Sequence, residues 1–380
     1  MRCLISVVGT LGDVLPAVAV GRLLAGRGHD VTIAANAAYR EPIEEAGLAA
    51  LLFGDAGDIA RMVEIPAYWE ADTGFKIFVR EGVMPAIAPL RAATESWARD
   101  GKDLAVVAFA YAYGTLAAAD CLGIPAARVF IQPTGLDVGQ RFGRAVARLD
   151  DLASFQAATG GVGPRRSAVR IGLFPRWFAA DSELPPDVVT TGFPLYDRAA
   201  GAKVPASAER FLGDGPPPVL IAAGSERGVG GTELVVRARA AVRRLGRRSL
   251  IVSADPALVA EDDAMVARFL PYSGVLGRVA AMMHHGGIGT IAQCLAAGTP
   301  QLALTSNFET PENGAALVAH GCGATLPVRD ATGDNIASRL APLLDSPDLR
   351  ARCRAVANRL RDDNPFAATA EAIDGLAWGG

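Results

Sequence analysis

Short continuous apolar runs recur along the chain, each followed by a stretch whose apolar positions return every three to four residues. The first half reads as strands over 3–8, 31–34, 48–53, 104–109, 127–131, 171–175 and 188–194, with helices over 13–26, 39–46, 84–98 and 114–121. Runs without polar alternation suit strands covered on both faces, and strand alternating with helix builds a parallel, doubly wound α/β sheet. The same rhythm restarts with strands over 219–223, 249–252, 279–283 and 301–305, then helices to the end.

The rhythm fails in three places. Between 198 and 218 the chain turns to Ala, Gly, Pro and charges, ending Gly213-Asp-Gly-Pro-Pro-Pro218, which marks a linker between a first domain, 1–197, and a second, 219–380. The last helix of the second could return to the first. The segments 54–75 and 133–165 read as substrate-facing loops. Their Tyr68, Trp69, Phe75, Leu136 and Phe142 could line a lipophilic pocket or close the core.

Length agrees with two domains, since 380 residues exceed what one core usually serves. With 37 basic and 40 acidic residues the formal charge is −3, which argues against a nucleic-acid partner. Cys3, Cys121, Cys294, Cys322 and Cys353 are odd in number and scattered, so reduced cytoplasmic thiols are expected rather than a disulfide or zinc framework. No apolar stretch has the length of a transmembrane span.

The chemistry concentrates in Met283-His-His-Gly-Gly-Ile-Gly-Thr290, between an apolar run and a helical stretch stopped by Gly298 and Pro300. Glycines 286, 287 and 289 let backbone approach a ligand, and the helix start offers unpaired N–H groups at its positive end. Such a turn at the carboxyl end of a parallel strand is an anion site suited to phosphate.

This run, with Gly298-Thr-Pro-Gln301 a helix later, resembles the donor-site signature of GT-B glycosyltransferases of the UDP-glycosyltransferase superfamily, the group containing bacterial antibiotic and lipid glycosyltransferases. The resemblance implies two facing Rossmann-like domains with an interdomain cleft, the first for the acceptor and the second for the nucleotide sugar. By the family pattern His285, Gly287, Ile288, Gly289 and Thr290 address the diphosphate, Gly224 and Ser225 reach it from another turn, and Gln293 meets the ribose. Phe269 and Leu270 fall where the family holds the base, though Phe269 could equally be packing.

Gly9-Thr-Leu-Gly-Asp-Val-Leu-Pro16 resembles the family's first turn, in which a His or Asp three residues before Pro deprotonates the acceptor. Asp13 is then the catalytic base; as an alternative it is an N-cap. His29 reads as structural. Where the family has Asp-Gln to hold the sugar, this chain has Glu309-Thr310, which leaves the sugar open and admits a deoxy sugar.

The expected function is inverting transfer of a sugar from a UDP- or dTDP-sugar to a hydroxyl of a small, lipophilic or aromatic acceptor, by a monomer or homodimer. Neither cofactor nor metal is expected, and no D-x-D occurs. A silent nucleotide-sugar binder on the same fold is the alternative. The chain lacks G-x-G-x-x-G after its first strand, G-x-S-x-G and a P-loop, against dehydrogenase, hydrolase and P-loop readings.

Overall fold

The computed structural model describes residues 1–70, 73–99, 101, 103–137, 169–179, 184–196, 203–222, 231–362 and 365–378. The chain divides into two compact units, Met1–Tyr196 with Asp363–Gly380, and Asp197–Asp362.

The first unit holds a seven-stranded sheet in the order β3-β2-β1-β4-β5-β6-β7. Its strands are β1 (Arg2–Ser6), β2 (Asp30–Asn36), β3 (Ala49–Phe53), β4 (Leu104–Phe109), β5 (Ala126–Phe130), β6 (Val169–Gly172) and β7 (Val188–Thr190). All pairings are parallel, and Ile5 sits in register with Ile33 on one side and Val107 on the other. Those three side chains are fully buried, as the apolar runs require. Helices α1 (Leu11–Gly26), α2 (Met84–Ala98) and α3 (Tyr113–Leu122) belong to this unit. Thr115 of α3 donates to Ser6 Oγ at 2.7 Å, tying the helix to the carboxyl end of β1.

The second unit holds six strands in the order β10-β9-β8-β11-β12-β13, again all parallel. They are β8 (Val219–Ala222), β9 (Ser249–Val252), β10 (Ala264–Ala267), β11 (Ala281–His284), β12 (Gln301–Thr305) and β13 (Gly323–Pro327). Its helices include α4 (Ala206–Gly213), α5 (Gly231–Arg244), α6 (Ile288–Ala297), α7 (Thr310–Ala319), α8 (Gly333–Asp345) and α9 (Pro347–Asp362). A final helix, α10 (Pro365–Asp374), joins the first unit. Its Ile373, with Leu376 beyond it, is buried among Val18, Val20 and Leu24 of α1, and Asp374 accepts from Arg27 Nη2 at 2.6 Å and pairs with His29 Nε2 at 2.9 Å.

Several expectations are corrected. The supposed loop 54–75 is largely helical, with turns at Asp58–Glu64, Pro66–Trp69 and Gly74–Ile77. Tyr68 is buried there against Trp69, whose indole N–H donates to Val63 O at 2.9 Å, so packing claims both rings. The linker contains α4, whose Ala208 and Leu212 enter the second core. Strand β13 breaks the expected all-helical ending, and β10 is a further strand beyond those expected. Residues 138–165, with Phe142, lie outside the described residues.

Candidate active site

In both sheets the strand order reverses direction once, between β1 and β4 in the first unit and between β8 and β11 in the second. Ligands of open parallel sheets bind at the carboxyl ends of the strands flanking such a reversal. The turn after β11 therefore holds the natural ligand position of its unit.

His284 closes β11, and the chain then passes through Gly286 at φ +87°. A Cβ there would lie 3.2 Å from Thr310 Cβ, so both conformation and neighbour call for glycine. Gly287 is the N-cap of α6, extended, with no side chain capping the helix. The N–H groups of Ile288, Gly289 and Thr290 are the orphan donors of its first turn. Ile288 is buried, Gly289 exposed, and Thr290 and Gln293 half-buried. The helix ends as expected, at Gly298 with φ +68°. It begins at Ile288, directly after the extended Gly287.

The two histidines are both neutral. Burial, aided by the neighbouring His285, pushes the His284 pKa down to about 3. Burial pushes that of His285 down to about 4. His285 Nδ1 is enclosed without a hydrogen-bond partner, beside a small apolar cavity lined by Ile221, Leu234, Val235, Met283 and Leu304. Its Nε2 lies over Gly287, where a Cβ would come within 2.4 Å. The ring can therefore offer a ligand one hydrogen bond but no full charge.

Asp13 sits in the corresponding place of the first unit, after β1. It is not the N-cap: Thr10 is, and Asp13 occupies the third helical position of α1. Its Oδ2 accepts from Thr10 N–H at 2.8 Å and from the Thr10 hydroxyl at 3.4 Å, one arm of a capping box. Gly9, at φ +149°, makes room for it, since a Cβ there would lie 2.2 Å from Oδ2. The side chain is half-buried. Across the reversal, Tyr111 follows β4 and meets Phe78 edge to face with centroids 4.9 Å apart, and Phe75 packs beside them.

Comparison with known proteins agrees with this geometry. Residues 254–372 match the C-terminal domain of the erythromycin biosynthesis protein CIII-like family, and residues 3–65 match the glycosyltransferase family 28 N-terminal domain. The chain is 27% identical to vancomycin aglycone glucosyltransferase of Amycolatopsis orientalis, over 99% of this chain and 98% of the relative. It is also 27% identical to O-mycaminosyltylonolide 6-deoxyallosyltransferase of Streptomyces fradiae, over 93% and 92%. Among solved structures, the spinosyn forosaminyltransferase SpnP superposes with a TM-score of 0.76 at 19% identity, covering 100% of this chain and 99% of that one. The glycosyltransferase VinC in complex with dTDP superposes at 0.74 with 20% identity, covering both chains fully at 100%.

The chain is a GT-B glycosyltransferase.

Other positions in this glycosyltransferase depart from the family pattern or sharpen it. Thr310, expected at the sugar, is buried and its hydroxyl is engaged within its own turn, accepting from Ser306 N–H at 3.0 Å and donating to Asn307 O at 2.9 Å. Glu309 stays half-buried at the N-cap of α7. Between them and β12, Phe308 holds φ +53°, a left-handed conformation that an aromatic residue adopts only when its surroundings impose it. Phe269 is 47% exposed, so core packing does not account for it, whereas Leu270 is buried and can present only backbone. Gly224 and Ser225 lie outside the described residues.

Sequence reasoning passed over His284, Gln301 and Asn313, all three buried in this glycosyltransferase. For His284 and Gln301 the signal was present: polar side chains inside otherwise apolar parallel strands must find partners.

Proposed function

We propose that this glycosyltransferase moves a sugar, with inversion, from a UDP- or dTDP-sugar to a hydroxyl of a small lipophilic or aromatic acceptor. The observation that carries the reading is the uncapped, glycine-lined start of α6 at the reversal of its sheet, beside a neutral histidine with an unmet ring nitrogen. VinC was solved with dTDP and SsfS6 with thymidine diphosphate, which favours a pyrimidine diphosphate here.

In this mechanism Asp13 takes the proton of the acceptor hydroxyl as its oxygen bonds to the anomeric carbon, and the bond from that carbon to the diphosphate oxygen breaks on the opposite face. The Thr10 N–H fixes one carboxylate oxygen and so orients the other lone pairs. Electrons leaving with the diphosphate are stabilised by the first-turn N–H groups of α6 and by one hydrogen bond from His285. Gln293 would address the ribose, the exposed Phe269 ring would stack on the base, and Glu309 would accept from sugar hydroxyls. The aromatic group of Phe75, Phe78 and Tyr111 supports a lipophilic acceptor.

The test is thermal stabilisation against UDP, dTDP, GDP and NAD, with His285→Ala alongside. A ligand at a hundred times its dissociation constant adds about 2.7 kcal/mol to the folded state. The reading expects a shift with UDP or dTDP that shrinks in the variant; stabilisation by NAD alone, or by none of the four, would overturn it.

A further inference from the structure

The residue that leads into the phosphate-facing turn, Gly286, is held at both of its backbone polar groups. Gly286 N–H donates to His284 Nδ1 at 3.1 Å, and Gly286 O accepts from Asn313 Nδ2 of α7 at 3.3 Å. Because Nδ1 accepts, the proton of the neutral ring is on Nε2, which donates to Gln301 Oε1 at 3.0 Å. The Gln301 amide in turn donates to Ile291 O at 3.4 Å, in the first turn of α6 that opens the site. His284 and Asn313 are 1% exposed and Gln301 is 0% exposed, so water does not replace these bonds.

We propose that His284, Gln301 and Asn313 are positioning residues for the diphosphate. They fix the one glycine whose rotation would re-aim every N–H of the α6 start, and they lock β11, β12, α6 and α7 to that glycine together. The inference rests on the reading of this turn as the donor diphosphate site.

The reasoning is conformational. Gly286 lacks the steric limits that would keep it at φ +87°, and a glycine released from its partners samples both halves of the backbone map. A turn that has to be ordered on binding loses affinity for the group it orders around, and only for that group. The loss should therefore fall on the diphosphate and spare the nucleoside.

The experiment compares calorimetric affinities for UDP and dTDP with those for uridine and thymidine, in the wild type, His284→Gln, His284→Asn and Asn313→Ala. The ratio of nucleoside to diphosphate dissociation constants is the readout, because a partly unfolded sample weakens both ligands alike. Glutamine can reach Gln301 but leaves Gly286 N–H unmet; asparagine can accept from Gly286 N–H in place of Nδ1. We expect the ratio to fall about tenfold in His284→Gln and Asn313→Ala, the equivalent of ordering about one residue, and to be restored in His284→Asn. An unchanged ratio in both weakened variants, or parallel loss of both ligands, would overturn the positioning role while leaving the donor site standing. A wild type that binds neither diphosphate would overturn the donor site, and the relay with it.

Discussion

At the scale of single residues, the capping box made by Asp13 and its proposed role as base can be separated by one substitution. Asparagine retains an oxygen able to accept from Thr10 N–H but cannot take a proton, whereas alanine loses both. Asp13→Asn should therefore melt close to wild type while turnover falls by about 10²–10⁴-fold. Asp13→Ala should lose turnover equally and a further ~1 kcal/mol of stability from the broken capping box. Full turnover in Asp13→Asn would remove Asp13 as the base. A second residue-scale consequence concerns pH. His284 is held neutral in the folded state down to about pH 3, while the unfolded chain takes up a proton near its ordinary value of 6.5. The unfolded state thus binds more protons between those values, and stability falls as pH falls through that window, by ~1.4 kcal/mol per unit for this group. Urea midpoints at pH 7, 6, 5 and 4.5 check the sign: His284→Asn should show a shallower decline than wild type.

At the scale of elements, α10 is distant in sequence from the unit it completes. Its apolar residues, not its ion pairs, should hold it there, because Ile373 is fully buried while Asp374 retains 25% of its side-chain exposure. Ile373→Ala should cost about 2–4 kcal/mol, and Asp374→Ala about 1 kcal/mol or less. Denaturant midpoints followed by a probe in the first unit would distinguish them, and equal losses would contradict the ranking. Element type was legible wherever apolar runs were long and central: 104–109, 249–252 and 301–305 match β4, β9 and β12. The unforeseen strands β10 and β13 are both sheet edges, with a partner on one side only. Gly323-Ala-Thr-Leu-Pro327 lacks a continuous apolar run, and Ala264-Met-Val-Ala267 is apolar but only four residues long, so both carry a weak signal.

At the scale of the whole molecule, both units use the same 3-2-1-4-5-6 start to their strand order, and in each the proposed site residues follow a strand that borders the reversal. That is why Asp13 follows β1 and the glycine turn follows β11, although the two segments share no sequence pattern. Each unit's described core is its own: Ile5, Ile33 and Val107 belong to the first, Leu220, Leu250 and Met282 to the second. Among the described residues, no helix is long and apolar enough to cross a membrane.

By itself, the sequence determined the fold class, because buried parallel strands require continuous apolar runs, and it pointed to the class of enzyme through the resemblance of its glycine-rich run to a known family. It also singled out Asp13 and the Met283-His-His-Gly-Gly-Ile-Gly-Thr290 run, both local patterns. Only the tertiary structure decided which side chains are desolvated and which partner each buried polar group takes. Thr310 turns inward because Ser306 and Asn307 take its hydroxyl, Tyr68 is enclosed although it stands among acids, and His284 is neutral because burial and the neighbouring His285 disfavour its charged form, while Gly286 and Gln301 fix which ring nitrogen carries the proton. Spacing along the chain encodes none of these, since desolvation and hydrogen-bond partnership are set by what folding brings together.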